Sequence, residues 1–114
     1  MPSLAANTWT ALPNMTTPRS NFAAVTLHGT TVLALGGCNS QGYNVLASVE
    51  RFDGGAHSAW ATVPASMTTA RSVFALVALE EGGAGVPPGG LLVAAGGYDG
   101  GNSVLASAEA FGPA

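Results

Sequence analysis

Charge is what this chain has least of. Of its 114 residues, 8% are charged, against about a quarter in most soluble domains, and not one is lysine. Three arginines against six acids give a formal net charge of −3. With no basic cluster, attraction to a phosphate backbone or an anionic lipid surface has no source, which sets aside nucleic-acid and membrane-surface roles. Long hydrophobic runs are missing as well. Glycine, proline or the Glu80-Glu81 pair interrupts every apolar stretch well short of the ~20 residues a spanning helix needs. The opening MPSLAANTWT has neither the basic start nor the apolar core of a secretory leader. Cys38 stands alone, so no internal disulfide can form, and a cytoplasmic, reducing compartment is the expectation. The sequon Asn14-Met15-Thr16 would matter only in a secreted protein.

Apolar residues are what the chain has in plenty: 47% hydrophobic, 16 glycines, 7 prolines and a mean hydropathy of +0.35. That is enough to bury the core of one domain, the number this length accommodates. It is also too little charge to keep every face in water, so some apolar surface is expected to be covered by another chain or another copy.

The apolar segments come twice. Trp9 aligns with Trp60 and Pro13 with Pro64; after one inserted residue Met15, Arg19 and Phe22 meet Met67, Arg71 and Phe74. The insertion EEGGAGVPPGG lengthens the second copy before Gly36-Gly37 meets Gly96-Gly97, and then Leu46, Ser48, Glu50 and Phe52 meet Leu105, Ser107, Glu109 and Phe111. Each length change falls in a stretch rich in Gly, Pro, Ser or Asn, where surface loops tolerate it. Between these stretches, runs of four to seven apolar or alternating residues read as strands: 23–27, 31–37, 47–52 and a short run around Trp60, then 73–79, 91–97 and 106–111. Nothing sustains the periodicity of an amphipathic helix. Four antiparallel strands per repeat of about 50 residues is a period associated with kelch propellers.

The ordered set carries the resemblance: Gly-Gly ending an apolar strand, the string GGYDG at 96–100, Ser-x-Glu-x-Phe, the tryptophan, and the Met-x-x-x-Arg after it. From about Trp9 to Phe111 the chain resembles two kelch repeats, with repeat 1 at about 21–63, repeat 2 at about 73–111, and residues 8–13 an outer strand. The resemblance implies an all-β fold of two four-stranded antiparallel blades, a partial propeller. Blades diverge from an axis, so crowded inner strands want small residues such as Ala23, Ala24, Ala75 and Ala78, while Trp9 and Trp60 would fill the wider outer gap. Arg19, Arg71, Glu50 and Glu109 recur once per copy and are expected to pair structurally, as buried charges do. Kelch strand order makes the chain d-a-b-c-d-a-b-c. The last blade then lacks an outer strand and the Trp9 strand lacks a blade, so the chain is expected either to form a homotrimer of six blades or to be part of a longer propeller.

Residues able to do chemistry are few. His28 and His57 sit in turn segments without partners at ligand spacing, so no metal and no cofactor is expected. Ser40 lacks a Gly-x-Ser-x-Gly elbow, and GGAGVPPGG lacks the Lys-Ser/Thr of a phosphate loop. A binding module without catalytic activity is the favoured class, with a protein or peptide as partner. The alternative is an assembled propeller with carbohydrate-binding or galactose-oxidase-like activity. Carried over from kelch domains, the partner-binding positions are Ser20, Asn21 and Ser72 between strands d and a. Between strands b and c they are Asn39, Gln41, Tyr43, Tyr98, Asp99 and Asn102. Tyr98 leads this set, since an aromatic with a hydroxyl offers both area and a hydrogen bond. The polar members could equally serve only their own turns. No adaptor segment of the BTB or F-box kind is seen ahead of the repeats.

Overall fold

The computed structural model describes residues 6–40, 44–53, 59–101 and 103–113, and among them there is no helix. The apolar runs form strands β1 (Ala23–Leu27), β2 (Thr31–Leu35), β3 (Cys38–Asn39), β4 (Asn44–Val45), β5 (Val49–Asp53), β6 (Trp60–Thr62), β7 (Ala75–Leu79), β8 (Leu91–Ala95) and β9 (Ala108–Phe111). All pairings are antiparallel, in sheets ordered β1-β2-β5-β6 and β7-β8-β9, with β3-β4 a short ribbon at the end of the first.

Local sequence accounts for each piece. In β1, Ala23, Val25 and Leu27 turn inward while Ala24 and Thr26 face water, the period of two that a half-buried strand requires. His28 and Gly29 both take left-handed φ (53° and 69°) and turn the chain into β2. Leu33, Ala34 and Leu35 are buried without alternation, because β2 is central and covered on both faces.

Leu33, Leu35 and Val49 of the first sheet close on Leu92 of the second, with Val25, Leu27, Leu76, Ala78 and Phe111 packed around them. The two sheets thus lie face to face, each buried leucine or valine contributing about 1.5–3 kcal/mol. Trp60 tilts at 37° over Phe52 with ring centroids 5.3 Å apart, and its Nε1 donates to the carbonyl of Pro13 at 3.1 Å.

The second copy differs from the first at its outer strand. The second sheet has three strands among the described residues, β9 forming its outer edge. Residues 8–13, expected as an outer strand, join neither sheet, and Trp9 is fully exposed where Trp60 is half-buried. A strand exists only through the ladder it joins, and among the described residues no sheet includes residues 9–13. No helix among the described residues is long and apolar enough to cross a membrane.

Candidate functional site

Beneath one end of each sheet lies the same ion-pair latch. Arg19 reaches Glu50 through Nε (3.2 Å) and Nη2 (2.9 Å), donates through Nη1 to the carbonyls of Gly36 and Ser48 (both 3.0 Å), and donates through Nη2 to Ser48 Oγ (3.0 Å). Arg71 repeats this with Glu109 (3.2 Å through both Nε and Nη2), the carbonyls of Gly96 (3.0 Å) and Ser107 (2.8 Å), and Ser107 Oγ (3.1 Å). Each carboxylate also accepts two backbone amides, from Thr16 (2.7 Å) and Thr17 (3.1 Å) at Glu50, and from Thr68 (2.7 Å) and Thr69 (3.2 Å) at Glu109. Burial pushes the Glu50 carboxyl up. The Thr16 amide, the Arg19 guanidinium, the Thr16 hydroxyl and the Thr17 amide together outweigh it and hold the carboxyl below the ordinary glutamate range. At Glu109 burial again pushes up, and the amide and hydroxyl of Thr68, the Thr69 amide and Arg71 hold the carboxyl down.

The glycine pairs let the loops close over these latches. Gly37 and Gly97 take φ of 89° and 90°, and a Cβ on either would sit 2.5 Å from a backbone oxygen, that of Ser20 or Ser72. The backbones of Ser20 and Cys38 bond reciprocally at 2.8 Å, as Ser72 and Tyr98 do at 2.9 Å, so each loop before an inner strand is fastened to the loop after β2 or β8. The Val73 amide donates to the Asn21 carbonyl (2.9 Å), joining the two fastened pairs into one rim.

On that rim the predicted residues fall into distinct places. Ser20 and Asn21 are exposed, with Ser20 Oγ 3.3 Å from the Cys38 carbonyl and Asn21 Nδ2 3.8 Å from Cys38 Sγ. Asn39 donates to the Pro18 carbonyl (3.3 Å) and accepts from Asn44 (2.8 Å). The Asp99 carboxylate accepts the amides of Gly101 (2.9 Å) and Ser103 (3.0 Å), so it is engaged in holding its own turn. Tyr98 is 41% exposed. Ser72 is only 7% exposed, because its reciprocal bonds to Tyr98 draw it under the loop, and it presents little to a partner. Gln41, Tyr43 and Asn102, and His57 from the search for ligands, lie outside the described residues.

Sequence reasoning missed Val104, which bridges to Tyr98 and is 77% exposed, and Val73, which follows Tyr98's other bridge partner Ser72 and is 58% exposed. Val73 also holds φ at 50°, a conformation a β-branched side chain rarely accepts; its repeat mate is Asn21, a residue at ease there, and that mismatch was a readable signal. Missed too were Thr16, Thr17, Thr68 and Thr69, written twice as Met-Thr-Thr-x-Arg. Among the described residues no three His, Cys, Asp or Glu side chains gather where a metal ion could be held.

A family model, that of the Kelch motif, matches residues 18–53, from just before the latch arginine Arg19 through β5. No curated protein matches the chain. Over residues 18–53 the chain is similar to the Kelch motif, and this all-β chain, whose residues 71–109 rebuild the same latch, is consistent with the kelch-repeat family.

Proposed function

We propose that the chain is a protein- or peptide-binding kelch-repeat module, an interaction scaffold with no catalytic activity of its own. The observation that carries this reading is the exposed rim pair of Tyr98 and Val104 over a rigidly fastened base. Aromatic area with a hydroxyl, beside the aliphatic Val104, suits an anchor residue of a peptide, and Ser20, Asn21 and Asn39 supply polar atoms on the same rim. The Arg19, Glu50, Arg71 and Glu109 side chains are consumed in the latches, and Asp99 in its turn, which favours binding over acid-base chemistry. The reading extends to assembly into a homotrimer, supported by the exposed Val77 (54%) and Leu79 (40%) on the outer face of the second sheet.

The test is a peptide-display selection on the wild-type chain, with recovered peptides measured against Tyr98→Ala. Loss of an anchor residue of this kind costs about 1.4 kcal/mol or more, so affinity is expected to fall at least tenfold. Selection that recovers no binder, or peptides that bind both proteins equally, would refute the reading.

A further inference from the structure

Among the described residues the second sheet lacks partners at the places where residues 60–74 complete the first. We infer that residues 9–22 of a second copy dock on β9 and the outer face of the second sheet as residues 60–74 dock on the first. This rests on the self-association reading above and gives it an interface.

The strand comes first. In the first sheet β6 adds to β5 with Phe52 opposite Trp60, Arg51 opposite Ala61 and Glu50 opposite Thr62. The repeat mates are Phe111 opposite Trp9, Ala110 opposite Thr10 and Glu109 opposite Ala11. Within one chain Trp9 is fully exposed, and β9 carries no outer neighbour among the described residues. The consequence is visible at the latches: the Glu50 side chain is 1% exposed and that of Glu109 is 18% exposed.

Backbone groups follow the same pattern. Beyond β6, the Met67 amide donates to Ala47 (2.9 Å), the Arg71 amide to Leu46 (3.1 Å), and Gly37 donates to the Arg71 carbonyl (2.8 Å). The corresponding donors are Met15, Arg19 and Gly97, and the corresponding acceptors are Ala106, Leu105 and Arg19. None of these six groups has a backbone partner among the described residues. They are spaced to bond one another between two copies.

Space is reserved as well. A Cβ on Gly36 would lie 2.6 Å from the Arg71 carbonyl, 2.8 Å from Met67 Cε and 2.9 Å from Phe74, whereas one on Gly96 would meet only the Leu105 carbonyl, at 3.5 Å. Met15, Arg19 and Phe22 are the copies of those three covering residues. Val77 and Leu79 are exposed, although their mates Val25 and Leu27 pack against the core. The occupant is therefore a second copy of this chain, which carries the required segment in the required order. The contact is head to tail, and closes only where the rotation fits.

Sedimentation equilibrium on the full chain and on Trp9→Ala tests assembly, and a cysteine pair tests register. Wild type is expected near 34 kDa, about three times the 11.2 kDa chain, and Trp9→Ala at the single-chain mass, with its fold unchanged because Trp9 touches little within one chain. Mild oxidation should cross-link Thr10→Cys/Ala110→Cys between chains and leave the shifted pair Thr10→Cys/Ala108→Cys largely uncoupled, since only Cα atoms about 4.4–6.8 Å apart are bridged. Cys38, 3% exposed, stays out of this reaction. A monomeric wild type overturns both the docking and the ring. An oligomer that Trp9→Ala leaves intact, or that fails to cross-link in the stated register, overturns the docking while leaving self-association standing.

Discussion

Removing the carboxylate of Glu50 should cost far more than removing that of Glu109, although the two residues hold the same post. Glu50 accepts two amides and two guanidinium nitrogens within 3.2 Å, and its partner Arg19 has a side chain with no exposure at all. Glu50→Ala leaves that guanidinium charged and dry, a situation that costs about 3–5 kcal/mol. Arg71 is as buried as Arg19, at 1% exposure, but the carboxylate of Glu109 is itself 18% exposed, so Glu109→Ala admits water to the guanidinium it leaves and the loss should be nearer the 1–3 kcal/mol of an unsatisfied group that water can reach. Urea unfolding reads the difference. With a slope of about 2 kcal/mol per molar, the midpoint should fall by roughly 1.5–2.5 M for Glu50→Ala and by roughly 0.5–1.5 M for Glu109→Ala. Both variants are best measured in a Trp9→Ala background, where β9 keeps its open edge. Equal midpoint shifts, or a shift below about 0.5 M for Glu50→Ala, would refute the reasoning that burial sets the strength of the latch.

Two further outcomes follow from the same geometry. Gly37→Ala should lose about 2–5 kcal/mol, adding the left-handed backbone cost to an overlap with the Ser20 carbonyl, while Gly29→Ala, which meets nothing within 4 Å, should lose about 1–2 kcal/mol; variants that melt together would contradict this. Both latch carboxyls titrate below their unfolded value of 4.5, so their stabilisation is complete above that pH and is lost as pH falls through the lower folded values. Urea midpoints should therefore hold steady from neutral pH to about 5 and drop below about 4.5, less steeply in Glu50→Gln. A loss already under way at pH 6, or a gain on acidification, would be the wrong sign.

Much of this was legible because the chain states it twice. Arg19 and Arg71, Glu50 and Glu109, and the two glycine pairs recur at matched spacing, and a charged residue repeated inside a chain so poor in charge points to a paired, buried role. What a repeat cannot convey is which copy lacks a neighbour. Trp9 and Trp60 read alike in sequence but differ in exposure, since only Trp60 has a strand beside it and a Phe52 ring beneath it. The rim was half legible. Tyr98 stood out by its chemistry, whereas the burial of Ser72 and the exposure of Val73 and Val104 depend on backbone bonds between loops that no local pattern encodes.

Amide hydrogen exchange at Gly37 and Gly97 probes most directly whether each repeat is completed by the segment that comes after it. In wild type both amides should exchange slowly and at comparable rates, Gly37 bonded to Arg71 of its own chain and Gly97 to Arg19 of the next copy. In Trp9→Ala, Gly37 should stay slow while Gly97 exchanges faster by on the order of a hundredfold or more. Rapid exchange at Gly97 in wild type, or equal protection of both amides in Trp9→Ala, would contradict the account.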